Sequence, residues 1–276
     1  MNLVWALLIT VAVAAVAIAG MLLVRRGAPA GSYFMDGDRA SGVFGVLATG
    51  FSVLLGFIVF LSFTSYDDAR SGAESEALMV MQQVETAQFF PPLVRDKLTG
   101  QLVCYGRSVI GDEWPRTRAG TLGDGVNPWG VAMFETLQGV EPKAASEQSA
   151  YDQWLGQTSQ REEARLDRIH PASGVIPITL WIALFFIGGV IFLYMLFFAD
   201  SGEGAVTQAM LMGAVASVIT VMFLLLATLD RPFHSGVGGL EPAAMERTLA
   251  RVDQALAAVG LDVRIPCDAA GAKLSG

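Results

Sequence analysis

In the stretch TGFSVLLGFIVFLSFTSYDD, residues 49–68, Thr49, Val53, Phe57, Leu61 and Thr64 recur every three or four positions. On an α-helix they form one stripe, hydroxyl-bearing at its ends and apolar in its middle. The chemistry open to such a stripe is ion conduction rather than bond-making. If copies of the helix surround a common axis, Val53 and Phe57 make an apolar constriction of the kind that gates by dewetting. Past that constriction the stripe reaches Asp68, with Asp67 and Arg70 close by, so that charge stands at the mouth. Acidic rings favour cations, and rings of Arg or Lys favour anions. On a lone helix the same side chains face lipid or neighbouring helices, and the residues by themselves leave both readings open.

No other chemistry is legible. The chain has no GxSxG, HExxH, P-loop or nucleotide-binding glycine motif, so an enzyme is not expected, and no cofactor is implied. Its net charge of -8 argues against nucleic acid as a partner. Two cysteines, Cys104 and Cys267, imply no disulfide framework, and no His/Cys cluster suggests a metal. His170 and His234 each lie beside Pro or Gly at element boundaries and read as boundary residues rather than ligands.

The elements that would position the stripe are set by composition. The chain is 53% hydrophobic and 16% charged, against about 25% charged in soluble domains. Four windows, 3–24, 43–66, 176–198 and 208–229, contain no Asp, Glu, Lys or Arg, and each reaches the roughly 20 residues of a spanning helix. Backbone groups in hydrocarbon must bond internally, so each window is expected to be helical. The first has no basic residue ahead of it and is too long for a signal-peptide core, so it reads as a retained span. An ionisable residue inside a span would point to a pump or coupled transporter; none is present.

The loops 25–40 and 199–206 are short, which makes their flanking spans antiparallel neighbours and puts both loops on one side. That side carries Arg25, Arg26 and Arg39, and the other side carries the remaining Lys and Arg. By the positive-inside rule the larger number favours a cytoplasmic interval, 67–174, while Arg25–Arg26 directly after the first span pulls the other way. The interval reads as helices. One follows the second span through Ala77, Met81 and Val84, and a second begins after Pro91–Pro92 and runs through Leu98, Leu102 and Tyr105. A third has Asn127 as N-cap and Pro128 at its first position, and a long mixed-charge helix carries Trp154 and an (i, i+3) Glu162–Arg165 pair. The acidic residues of the interval are expected on solvated faces. Pro242 opens a final helix with Met245, Leu249, Val252 and Leu256 on its apolar side.

The segment VLLGFIVF, 53–60, followed by Tyr66, resembles the pore helix of bestrophin anion channels, where a Leu-Gly-Phe triplet ends a series of neck residues spaced four apart. The wider chain resembles the bestrophin-like family. Its marks are Glu74 and Glu76 after the second span, Tyr105 followed by Glu113, Trp114 and Pro115, and DRPFHSG at 230–236. The resemblance implies a helical homopentamer with a central pore and a helical cytosolic part, Phe57 being innermost, with Val53 and Thr49 successive turns before it. Where bestrophins place an arginine and paired tryptophans, this chain has Ser65, Tyr66 and Asp67. No acidic cluster matches the bestrophin calcium clasp. Within the family frame, Trp114 anchors a turn that Pro115 ends, and Pro232 stops the fourth span while Phe233 packs.

The expectation is therefore an all-α, multi-pass cell-membrane protein with four transmembrane helices and an extended helical extramembrane domain. Its regions are a first helix pair (1–66), a helical domain (67–174), a second pair (175–230) and a helical tail (231–276). Its partners are lipid, inorganic ions and copies of itself. It is either an oligomeric, passive and anion-conducting channel or a membrane receptor or scaffold whose helical interval binds a ligand or protein.

Overall fold

The computed structural model describes residues 3–122 and 125–274. Its helices are α1 (Leu3–Arg26), α2 (Gly37–Ala87), α3 (Pro92–Ser108), α4 (Trp114–Arg118), α5 (Pro128–Gln138), α6 (Ala145–Ile169), α7 (Ile178–Leu196), α8 (Ala205–Leu229) and α9 (Ala243–Ala258). A π-turn, Val109–Glu113, joins α3 to α4. Among the described residues there is no strand, only an isolated bridge between Cys267 and Lys273. Among the described residues four helices, α1, α2, α7 and α8, are long and apolar enough to cross a membrane. The chain divides into two compact units, Met1–Tyr66 with Gly174–Gly239, and Asp67–Ser173 with Leu240–Gly276.

In the first unit, α1 packs closely on α8. Ala17 and Met21 meet Met212 and Ala216, and Gly213 takes the Ile18 side chain so closely that a Cβ would lie 2.9 Å from it. Lipid offers no hydrophobic drive between helices, so small residues that allow close packing do the work here. A second cluster joins Phe51, Leu55 and Ile58 of α2 to Leu184 and Ile191 of α7 and Leu226 of α8.

Both ends of this unit are tied by side chains. At the short-loop end Arg25 donates to the carbonyls of Ser201 and Glu203, and the Asp200 carboxylate accepts from Gly31 and Gly202 N–H at 2.9 and 2.7 Å. At the other end Asp230 Oδ1 accepts from Val175 and Ile176 N–H, both at 2.9 Å, and so caps the approach to α7. Gly174 turns there with φ +84. Tyr66 donates to the Gly238 carbonyl at 2.8 Å, and Phe233 is buried. The helical stop after Leu229 and the packed Phe233 match the sequence expectation.

The second unit holds the rest of α2, which starts on an Asp36 cap and runs unbroken for 51 residues until Pro91 and Pro92 end it. At about 1.5 Å per residue it is far longer than a roughly 30 Å hydrocarbon layer requires. Asn127 caps α5 by accepting from Trp129 N–H, and Pro128 occupies its first turn. The sequence reading has Pro115 end a helix. Instead the chain stays helical through the π-turn and on into α4, with Pro115 at its second position.

A second correction concerns the cysteines. Cys104 on α3 and Cys267 are disulfide-bonded, with Cα atoms 5.8 Å apart and a sequence separation of 163. Two cysteines so distant in sequence carry no spacing signal, so only the fold reveals the pair.

Gly72 of α2 lies against α6, where a Cβ would sit 2.6 Å from Arg168 N and 2.8 Å from the Ala164 carbonyl. Those neighbours are backbone and cannot rotate away. Gly72→Ala should therefore destabilise the protein by about 1–3 kcal/mol, the usual range for overpacking. Gly156→Ala on α6, which meets nothing within 4 Å, should be neutral or mildly stabilising. Thermal unfolding of the detergent-solubilised protein compares the two.

Candidate pore face and a buried arginine network

The rotation of α2 in the first unit is fixed by what it buries. Phe51, Leu55, Ile58 and Ser62 follow one another at helical spacing on the packed face, Ile58 being 3% exposed. The opposite face carries Thr49, Val53, Phe57, Leu61 and Thr64, all exposed, with Phe57 at 60%. None of the five is covered by another helix of the unit. Thr64 donates back to the Phe60 carbonyl at 3.1 Å, and Ser52 to Ala48 at 2.8 Å, so these hydroxyls satisfy themselves along the helix. Chemically the face is an apolar band flanked by hydroxyl groups.

On the part of α2 in the second unit, Asp67 and Asp68 are exposed and have no ion-pair partner among the described residues. Arg70, which the sequence reading set against those carboxylates, pairs one turn further on with Glu74 at 3.3 Å. The (i, i+4) geometry favours that partner.

Inside the second unit lies a cluster that the sequence reading missed. Arg161, Arg165 and Arg168 project from one face of α6 and are all buried. Arg168 grips Glu76 of α2 through Nε and Nη2, at 2.5 and 3.1 Å, and reaches Glu113 Oε2 at 2.6 Å. Arg165 holds Glu113 at 2.9–3.2 Å, and Asn127 Nδ2 donates to the same carboxylate at 2.9 Å. Tyr105 donates to Glu76 at 2.6 Å, and its ring lies 4.6 Å beneath the Arg161 guanidinium. Arg161 in turn donates to Gln83 at 2.7 Å.

Glu76 and Glu113 are therefore core residues, not the solvated charges expected. Arg165 pairs with Glu113 rather than Glu162, which bonds Arg161 at 3.0 Å. The π-turn adds a residue to the helical winding and so changes the phase at which Glu113 leaves the chain. A signal did exist: the three arginines share a helical face with Trp154 and Ala164, an apolar stripe on which charge has no place unless paired.

Burial alone would push the Glu113 carboxyl up, but Arg168 and Arg165 outweigh it and hold it below the usual range. Burial would likewise lower the Arg168 guanidinium, and Glu76 more than offsets this. The Tyr105 phenol is pushed up, first by burial and then by the Glu76 charge. The network is structural in chemistry: both buried carboxylates, Glu76 and Glu113, face guanidiniums.

The chain matches the model of the Bestrophin-like domain over residues 8–245. A bacterial bestrophin homologue from Klebsiella pneumoniae is 14% identical in sequence and superposes with a TM-score of 0.66, covering 95% of this chain and 100% of that one. A substituted form of the same homologue gives 14% identity and a TM-score of 0.65 over 91% and 98% of the two chains. At this identity the likeness establishes the fold. No curated protein matches the chain.

Removing one partner from a buried ion pair strands the other charge, so Arg168→Met should destabilise the protein by roughly 3–5 kcal/mol. The depressed Glu113 carboxyl gives a pH signature as well. Below the ordinary glutamate value of about 4.3 the unfolded chain takes up a proton that the folded carboxyl refuses. Stability should therefore fall with acid until Glu113 itself protonates, and Glu113→Gln should flatten that limb. Unfolding midpoints measured from pH 7 down to 3 provide the check.

Proposed function

The chain belongs to the Bestrophin-like family, and from that premise we propose that it is an oligomeric ion channel in which copies of α2 surround an axis and conduct ions passively. Five copies is the number the family resemblance implies. The observation that carries the reading is the uncovered α2 face. A helix with a packed side of Phe51, Leu55 and Ile58 leaves Val53 and Phe57 available to copies of itself. In a ring these two residues form the apolar constriction, Thr49 and Thr64 bracket it, and Leu61 lines the segment between. The permeant class is anionic by family. Asp67 and Asp68 add negative charge at one mouth and weaken that preference.

A second reading, a ligand-binding receptor, draws on a cavity of about 1280 Å³ within the second unit, bounded by α3, α5 and the C-terminal segment. Conduction separates the two. Purified protein in planar bilayers should pass current, and Phe57→Ala should raise conductance or open probability by widening the constriction. The paired change Asp67→Asn with Asp68→Asn should shift the reversal potential toward higher anion selectivity. Wild type and Phe57→Ala that are equally silent to a panel of anions and cations in liposome flux would overturn the channel and leave the receptor.

A further inference from the structure

The disulfide places a chemical demand on the compartment that holds the second unit. Cys104 is fully buried and Cys267 is 4% exposed. The segment carrying Cys267, residues 261–274, is laid tightly along α3, the π-turn and α5. Trp129 Nε1 donates to the Gly271 carbonyl at 2.7 Å, and Arg107 donates to the Asp268 carbonyl at 3.3 Å. Three glycines permit the fit. A Cβ on Gly100 would lie 2.5 Å from the Arg264 carbonyl, one on Gly111 would lie 2.8 Å from Ala270, and one on Gly271 would collide with Ser108. Thiol–disulfide exchange needs a thiolate or disulfide that a partner can reach. A bond sealed this way is made while the chain folds and does not cycle afterwards. Stable bonds of this kind belong to oxidising compartments, whereas cytosolic ones are usually transient and redox-active.

Charge at the first span points the same way. Arg25 and Arg26 form the last turn of α1, directly at one end of its apolar run. Lys and Arg close to the end of a span set its orientation, and long intervals translocate largely regardless of their charge. The loop end of the first unit, where Arg25 ties to Ser201 and Glu203, is then the cytoplasmic end. Arg161, Arg165 and Arg168, which weigh toward a cytoplasmic interval in a bare count, lie far inside that long interval as buried members of an ion network.

We propose that Cys104–Cys267 is a structural disulfide formed on the extracytoplasmic side, and that the helical second unit with the C-terminal segment therefore faces outward while the loops at 27–36 and 197–204 face the cytoplasm. This reverses the orientation suggested by the total of cations and by the family resemblance, and it does not depend on conduction. The step balances with an oxidised thiol–disulfide oxidoreductase as co-reactant. One cysteine thiolate attacks its disulfide, the second displaces the enzyme from the mixed intermediate, and the enzyme leaves as a dithiol carrying the electron pair.

The test uses the full chain in intact bacterial cells, with one added cysteine at a time and the native pair in place. Gln254→Cys, exposed on α9, should react with a membrane-impermeant maleimide without permeabilisation. Met35→Cys, exposed in the first loop, should react only once the membrane is opened. In wild-type protein trapped with acid and denatured, no thiol should titrate before reductant and two should titrate after it. The reversed labelling pattern would overturn the orientation even with the bond present. Two free thiols in unreduced protein would overturn the disulfide itself.

Discussion

Phe51, Leu55 and Ile58 seat the membrane segment of α2 against α7 and α8, and this contact decides which side chains the helix has left to offer. A helix has one rotation at a time. With the aromatic and branched residues of one face committed inside the unit, Thr49, Val53, Phe57, Leu61 and Thr64 are turned outward together. Any function that uses the stripe depends on that rotation, because a change of about a third of a turn would bury Phe57 and present Phe51 instead.

The second unit solves a different problem with different means. It buries three guanidiniums and two carboxylates, and each of them left unpaired would be costly. The solution is shared ligation. Glu113 is held by Arg165, Arg168 and Asn127 together, and Glu76 by Arg168 and Tyr105. These partners come from α2, α3, the π-turn, α5's cap and α6, so one network fixes the register of nearly every element of the unit. Such pairs add little net stability over a packed apolar core. Their contribution is geometric, since a slipped register leaves a charge without its partner.

Much of this was legible in the residues. The four spans follow from uncharged windows, and the caps at Asn127 and Pro128 follow from turn chemistry that acts over three residues. The rotation of α2 was not readable from side-chain type, because Val53, Phe57 and Leu61 are as apolar as Phe51, Leu55 and Ile58, and contacts with α7 and α8 set it. What escaped was non-local. Glu76 and Arg168 are 92 residues apart, and Cys104 and Cys267 are separated by 163. Each of these residues looks ordinary on its own helix. Pro115 misled for a related reason: a proline often marks a helix end, yet here the chain winds on past it from a π-turn into α4.

The two units also show why the cross-link sits where it does. Within the bilayer the backbone has no alternative to helix, and close packing at Gly213 suffices to hold α1 on α8. The segment after α9 has no such confinement. Among its described residues beyond Val259 there is no helix and a single bridge, so little cooperative structure opposes its release into water. A covalent bond that closes a loop of this length removes most of the freedom the detached segment would gain. Trp129, donating to the Gly271 carbonyl, and Arg107, donating to the Asp268 carbonyl, then help to fix its path. The disulfide thus tethers residues 261–274, which have little regular structure of their own.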